Sequence, residues 1–352
     1  CKVMRLAQSG TRVHLVGIGG IGLSAIARVL QGWGCQVSGS DQQPSALTDT
    51  LAAEGITVFS GHRAEWVSGA DLIIVSSAVP QDNPEIVEAQ RLGLPVVGRK
   101  QLLRELTADK TTIAVAGTHG KTTTTAMIAW ILSQADLDPT FIVGGILQNL
   151  GTNAGAGTGP HFVIEADEYD RTFLGLSPDV AVITTLEHDH PDCYPTFSEL
   201  QTAFTEFADR VVAGGLLIVC AEDPEASQLG ERFRRDGRRV ETYGLDPRSD
   251  WWAEGTQLGN SAVFDVWHST PVPGEARVSG RKHLGTCALQ VPGQHNVLNS
   301  LAALAACRRV RGALRVARDR HARERAVPRP GGLSSRRRDH PGVCATRRRR
   351  RR

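Results

Sequence analysis

Lys121 lies in Gly117-Thr118-His119-Gly120-Lys121-Thr122-Thr123, between the apolar run Thr112–Ala116 and a stretch of helical spacing, Thr122–Leu132. A loop of this composition between a strand and a helix handles phosphate. Consecutive backbone N–H groups cradle phosphate oxygens, the lysine neutralises β and γ charge, and the next hydroxyl can ligate Mg2+. The strict G-x-x-x-x-G-K-[ST] pattern would put its first glycine at 115, where this chain has Val115, so the loop is a variant with its glycine at 117. Two acidic groups follow buried-strand patterns. Phe162–Glu165 runs into Ala166-Asp167-Glu168, and Val180–Thr184 leads to Glu187-His188-Asp189-His190-Pro191-Asp192. In a parallel sheet both groups emerge on the edge that carries the phosphate loop. Any one of these acids could be a solvated loop residue. Together beside one phosphate loop they suit a hard, oxygen-bound ion such as Mg2+ better than zinc.

A second glycine pattern, Gly17-Ile18-Gly19-Gly20-Ile21-Gly22, lies between the strand-like Val13–Gly17 and the helical spacing of Gly22–Leu30. Glycines there let the backbone approach a diphosphate while a helix N-terminus supplies oriented N–H donors. Asp41 ends the next strand, Val37–Ser40, where a carboxylate often meets a ribose hydroxyl. The pattern fits a nucleoside diphosphate, a nicotinamide dinucleotide, or close helix–strand packing with no ligand.

The elements that must hold these loops read as α/β. In residues 12–105, Leu72–Ser76 and Val96–Val97 are further strands, with a helix from about Pro84 to Leu92. Apolar runs without alternation, separated by helices, predict a parallel sheet covered on both faces. The pattern restarts at Thr111, and Leu216–Cys220 adds another buried strand. Trp251–Leu289 alternates and is punctuated by Pro and Gly, which predicts antiparallel strands; Gln294–Cys307 reads as a helix. The expected domains are a Rossmann-like unit over 1–107, a phosphate-loop α/β unit over 108–307, and an irregular tail over 308–352.

At 352 residues the chain exceeds what one core usually supports. Its apolar runs are strand-sized and too short to cross a bilayer, so no membrane insertion is expected. Seven scattered cysteines, without a C-x-x-C pair, favour a reducing cytoplasm over a disulfide framework. Cys1 in place of Met leaves the true start open. The net charge of +3 comes from the tail, where residues 308–352 carry 18 Arg against Asp319, Glu324 and Asp339. Without them the 40 Lys and Arg fall to 22 and the 37 acids to 34, a balance of −12. An acidic body repels phosphate backbones, so a nucleic-acid partner is not expected.

Taken in order, the segments Val16–Ser24, Ser38–Asp41, Gly61-His62, Ser76–Ala78, Gly117–Thr125, Glu165–Glu168 and Gly293–Asn299 resemble the Mur ligase family over residues 12 to about 307. His119 within the loop and the N-terminal glycine pattern are similar to the branch that adds L-alanine. The resemblance implies a ligase that phosphorylates the carboxylate of UDP-N-acetylmuramate with ATP and passes the acyl phosphate to the amine of L-alanine. It implies that Gly17, Gly19, Gly20, Ile21, Gly22, Asp41, Ser76 and Ser77 hold the UDP-sugar. Gly117, Thr118, His119, Gly120, Lys121, Thr122 and Thr123 would hold the ATP phosphates, with His295, Asn296 and Asn299 by its adenosine. Thr122 and Glu165 would hold one Mg2+ and His190 a second; Lys121, Glu165 and His190 form the implied catalytic set. Some members carry a carbamylated lysine in the central domain, a device absent here because no lysine lies between Lys121 and Lys282.

The family's pattern continues into a third α/β domain, and no counterpart is read after Cys307. A shifted reading frame is the expected origin of 308–352, and a remnant that binds both nucleotides without turnover is an expected outcome. Other readings explain less. A nicotinamide oxidoreductase leaves the second loop unused. A phosphate-loop kinase or GTPase leaves the first domain idle.

Overall fold

Strand β1 (Arg12–Val16) forms where Val13, Leu15 and Val16 lose essentially all contact with water. The computed structural model describes residues 9–270 and 280–310. After β1 the chain turns through the first glycine loop into helix α1 (Ile21–Gly32), then β2 (Gln36–Asp41), α2 (Ala46–Ala53), β3 (Thr57–Ser60), β4 (Leu72–Val75), α3 (Pro84–Arg91), β5 (Val96–Gly98) and α4 (Arg99–Leu106). Local sequence sets the helix starts. Ser45 and Thr48 form a reciprocal capping box on α2, while Asn83 caps α3 and Pro84 pre-sets its first turn. The five strands are parallel in the order β3-β2-β1-β4-β5. The order reverses between β1 and β4, and a crevice therefore opens beyond their carboxyl ends.

The second sheet has ten strands in the order β15-β14-β13-β12-β11-β10-β6-β9-β7-β8. Its central strands β6 (Thr111–Ala116), β9 (His161–Glu165), β10 (Val180–Ile183) and β11 (Leu216–Cys220) pair in parallel, as does β7 (Thr140–Leu147) with β9. β8 (Thr152–Gly155) closes one edge antiparallel to β7. At the other edge β12 (Val240–Gly244) pairs in parallel with β13 (Trp251–Leu258), and β14 (Ala262–Thr270) and β15 (Gly280–Leu289) continue antiparallel.

Both faces of the centre are covered, which explains why its strands read as unbroken apolar runs. Ala114, Ile164, Ile183 and Val219 point to one face, packed by α6 (Phe197–Asp209) and α7 (Pro224–Arg235) through Phe204, Phe207 and Phe233. Ile113, Val115, Val182 and Ile218 point to the other, packed by α5 (Lys121–Gln134) and α8 (Gln294–Arg309) through Ile128, Leu132, Val297 and Leu301. The expected strands and helices of 12–116 and the antiparallel run after Trp251 are present. Expectations for residues 271–279 and 311–352 lie outside the described residues.

The two sheets share one core, in which Leu23, Ala27 and Leu30 of α1 join Phe162, Ile164 and Phe173. At the junction Trp33 meets Phe162 edge-on at 6.4 Å, and Arg28 donates to Asn153 Oδ1 at 2.7 Å. This packing fixes the first glycine loop relative to the second.

Candidate functional site

The phosphate loop leaves β6 at Ala116 and enters α5 at Lys121. Gly117 is buried at φ +131°, where a side chain would collide with Thr184 Oγ1; Gly120 is left-handed at φ +83°. Only glycine meets both demands at low cost. The loop rests on the strand end beside it. Thr118 N donates to Thr185 O at 2.7 Å, His119 N to Thr185 Oγ1 at 3.0 Å, and Thr184 Oγ1 to His119 O at 2.5 Å. No side chain caps α5, so its first-turn N–H groups, Thr122 and Thr123 among them, are available to an anion.

Lys121 folds back over this loop. Its Nζ donates to Gly117 O at 2.6 Å and lies 2.8 Å from Glu168 Oε1. Glu168 is 1% exposed, and its other oxygen has no hydrogen-bond partner among the described residues. Burial pushes its carboxyl above the ordinary range by more than Lys121 holds it down. His190 Nε2 stands 3.7 Å from the same Glu168 oxygen, with its backbone in the left-handed region at φ +55°. Tyr194 is buried below them and donates to Glu168 O at 2.6 Å; burial raises its phenol well above the ordinary value.

Thr122 Oγ1 lies 3.0 Å from Glu165 Oε1, and Gly144 N donates to Glu165 Oε2 at 2.6 Å. Among the described residues no three His, Cys, Asp or Glu side chains gather to hold a metal alone. The Thr122–Glu165 pair instead offers two hard oxygens beside a phosphate cradle. That set fits Mg2+, which usually takes one or two protein oxygens and completes its shell with water and substrate phosphate. Of the other acids, Glu187 meets His119 at 3.5 Å on the surface and Asp192 accepts from Tyr169 OH at 3.1 Å. Asn299 Oδ1 abuts Gly120, and Asn299 Nδ2 donates to Asn296 Oδ1 at 3.3 Å, so Asn299 reaches the loop and Asn296 lies behind it. His295 is exposed and folds against Gly293.

The first glycine loop lies in the crevice between β1 and β4. Gly17 N and Ile18 N donate to Ser40 O, Gly19 N donates to Asp41 Oδ2 at 2.8 Å, and Ser76 N donates to Val16 O. Gly20 caps α1 without a side chain, leaving the Ile21–Gly22 turn open to an anion. Ile21 is exposed at the mouth, as is Ser77 beyond Ser76. The Arg99 guanidinium packs over Gly22 and reaches Asp167 of the second unit at 3.9 Å. The open clefts between α6 and α7 and beside the first residues of β11 and β12 contain none of these side chains.

Two uncapped glycine loops, each at a strand-to-helix turn and joined across one core, are matched by family models over nearly the whole described chain. Residues 115–307 match the Mur ligase middle domain, and residues 12–111 match the model described as Mur ligase family, catalytic domain. The chain belongs to the Mur ligase family. It is 45% identical over 300 residues to the UDP-N-acetylmuramate–L-alanine ligase of Carboxydothermus hydrogenoformans, covering 85% of this chain and 62% of that protein. It is 44% identical over 294 residues to the ligase of the same name from Geobacter sp. strain M21, covering 84% and 61%. Among solved structures, the UDP-N-acetylmuramate–alanine ligase of Thermotoga maritima superposes with a TM-score of 0.71 at 32% identity, over 88% of this chain and 68% of that one. The UDP-N-acetylmuramate:L-alanyl-gamma-D-glutamyl-meso-diaminopimelate ligase of Neisseria meningitides gives 0.72 at 29%, over 88% and 96%. The chain thus spans about three fifths of the length of the curated relatives it matches.

This Mur ligase chain also brings in residues that the sequence reading left without a role. Glu168 was visible only as one acid of a cluster, and its pairing with Lys121 depends on how the segment after β9 folds back. Thr184, Thr185 and Arg99 carried no motif signal.

Proposed function

We propose that this chain carries the nucleotide-binding part of an ATP-dependent UDP-N-acetylmuramate–L-alanine ligase acting in the cytoplasm. What supports the reading most is Lys121, Thr122, Glu165, Glu168 and His190 converging at one sheet edge, in a chain 45% identical to a ligase of that name. In this reading the first crevice takes the UDP-sugar. Gly17, Gly19, Gly20, Ile21 and Gly22 meet the diphosphate with backbone N–H groups, and Asp41, Ser76 and Ser77 hold the nucleoside and sugar. Gly117, Thr118, His119, Gly120 and Thr123 cradle the ATP phosphates, while His295, Asn296 and Asn299 line the adenosine end.

Transfer of the γ-phosphoryl group to the sugar carboxylate demands alignment and charge neutralisation more than a strong base. Lys121 moves from its carbonyl and carboxylate acceptors onto the phosphates. Thr122 and Glu165 would hold one Mg2+ and His190 another, an ion that supplies charge stabilisation for the transferred group. The acyl phosphate is then attacked by the amine of L-alanine, and phosphate leaves. Asp189 accepts from His190 N at 2.8 Å and sets the backbone that aims the imidazole.

Phosphate release from Mg2+–ATP tests this directly. Release that requires UDP-N-acetylmuramate and L-alanine together, and disappears in Lys121→Ala, is the expected result. Calorimetric binding of ATP and UDP-sugar without release would restrict the chain to nucleotide binding. Absence of both would overturn the reading.

A further inference from the structure

Glu85 is completely buried in the first unit and has no role described so far. It enters from the first turn of α3 and gathers donors from the middle of β1, the end of β2 and the segment just after β3. On one oxygen it meets His14 Nε2 at 3.0 Å and Ser40 Oγ at 2.7 Å; on the other it meets His62 Nδ1 and the Arg63 amide, each at 3.2 Å. Burial pushes the carboxyl up, but the bonds from His14, Ser40 and His62 outweigh it and leave it below the ordinary value. Glu85 is therefore an acceptor only, and all four partners donate to it.

This accounting fixes the tautomer of His62. Its hydrogen is on Nδ1, directed at Glu85 Oε1 and at Ser40 Oγ 3.1 Å away, whose own hydrogen goes to Glu85. His14 is settled in the same way, with Nε2–H on Glu85 and Nδ1 accepting from the Ser38 hydroxyl at 2.9 Å. Both rings can be neutral with every contact satisfied. His62 Nε2 makes no hydrogen bond among the described residues, and in this tautomer it is a bare acceptor.

Position gives that acceptor a use. His62 stands just beyond the carboxyl end of β3, where Gly61 N donates to Asp41 O at 2.7 Å. A nucleotide with its diphosphate on the first glycine loop and its ribose by Asp41 extends outward along this edge towards β3. Beside His62 the rings of Phe59 and Trp66 stack 4.8 Å apart, with the Arg63 guanidinium 5.8 Å from the Trp66 ring centre and His14 tilted against Phe59, an aromatic wall of the kind a base packs beside.

We propose that Glu85 is a positioning residue that holds His62 in its Nδ1–H form, so that Nε2 reads the imide N–H of a uracil base and rejects cytosine. The inference rests on the reading of the first crevice as a UDP-sugar site. Uracil presents a ring N–H where cytosine presents a bare nitrogen, and two facing acceptors leave both unpaired in a partly buried place.

Calorimetric titration of the whole chain with UDP and with CDP tests the assignment in wild type, Glu85→Gln and His62→Phe. UDP should bind at least about tenfold more tightly than CDP in wild type, the gap expected of a site built to pair a donor. Both variants should narrow the gap to less than about threefold while ATP affinity stays unchanged. Ring nitrogen NMR should show Nδ1–H on His62 in wild type and a shift of its Nε2 resonance on adding UDP. A gap that persists in His62→Phe, or an Nε2 resonance that ignores UDP, overturns the proposal and leaves the crevice reading intact. No UDP binding by a wild-type chain that still binds ATP removes the crevice reading and this inference with it. If Glu85→Gln fails to fold, His62→Phe at the rim decides alone.

Discussion

Lys121 Nζ sits 2.8 Å from Glu168 Oε1, and Glu168 has no other cation so close among the described residues. This buried ion pair opposes two demands. Burial favours the neutral acid, while the ammonium favours the carboxylate. Lys121→Met keeps the aliphatic stem and removes the counter-charge, so the carboxylate of Glu168 stands alone. We expect a loss of about 3–5 kcal/mol near pH 8 in urea unfolding, typical of breaking a buried pair. The loss should shrink towards pH 5. A carboxyl whose folded-state affinity for protons is raised binds more protons folded than unfolded, so stability falls as pH rises through that window. A loss independent of pH would show that Glu168 is compensated by another group.

Gly117→Ala is expected to damage the phosphate loop twice. The new methyl meets Thr184 Oγ1, and φ +131° is poorly tolerated by any side chain. Strain of this kind costs about 1–3 kcal/mol, and ATP affinity should fall because the loop carbonyl that holds Lys121 moves. Thr184→Ala removes the Oγ1 collision but also the bond from Oγ1 to His119 O, and it leaves the Thr184 and Thr185 amides 3.0 Å from the new methyl. The double variant should therefore remain weaker than wild type in ATP titrations, and full recovery would place the whole effect in the collision.

The placement of the two glycine loops was legible because each needs glycines at fixed offsets between a strand and a helix, and Lys121 and Thr122 mark the second without ambiguity. The acids were legible as groups and not as individuals. Glu165 ends β9 and was readable from strand register, whereas Glu168 gains its place from a 3-10 turn over Tyr169–Gly175 and from Tyr194 beneath it. Asn296 and Asn299 share a face because they lie three apart on α8. Strand β7 was hidden by Gly144-Gly145, and β3 by its mixed burial. Neither carries the unbroken apolar run that marks β4, β6 or β10. The cluster around Glu85 joins four sequence segments and has no local pattern at all.

His268 supplies a pH dependence unrelated to catalysis. It is 7% exposed on β14, with Nδ1 lacking a hydrogen-bond partner among the described residues, and burial, with Arg308 nearby, lowers its pKa to about 4. Between its unfolded value and about 4 the unfolded chain binds the extra proton. Stability should therefore rise with pH through that window, by up to about 3 kcal/mol. His268→Gln should flatten urea midpoints between pH 4 and 6.5, the range bounded by the lowered and ordinary values. An unchanged slope would assign the dependence to another group.

Glu165 and Thr122 offer the sharpest test of the metal reading, because the pair can be weakened without emptying the loop. Glu165→Gln can keep its one oxygen for Gly144 N and turn its amide N–H towards Thr122 Oγ1, but it removes the charge that would hold a divalent ion. Half-saturating Mg2+ for phosphate release, measured at fixed ATP, should rise by about tenfold, as expected when one charged oxygen donor becomes neutral. Thr122→Val removes the second oxygen at nearly constant shape and should raise it similarly. The residues touch at 3.0 Å, so their effects should not add, and the double variant should be little worse than either alone if both serve one ion. Strict additivity would mean that they act at separate places. Substituting Mn2+, which accepts similar ligands, should recover part of the activity in both single variants; a purely structural defect would not respond to the choice of ion.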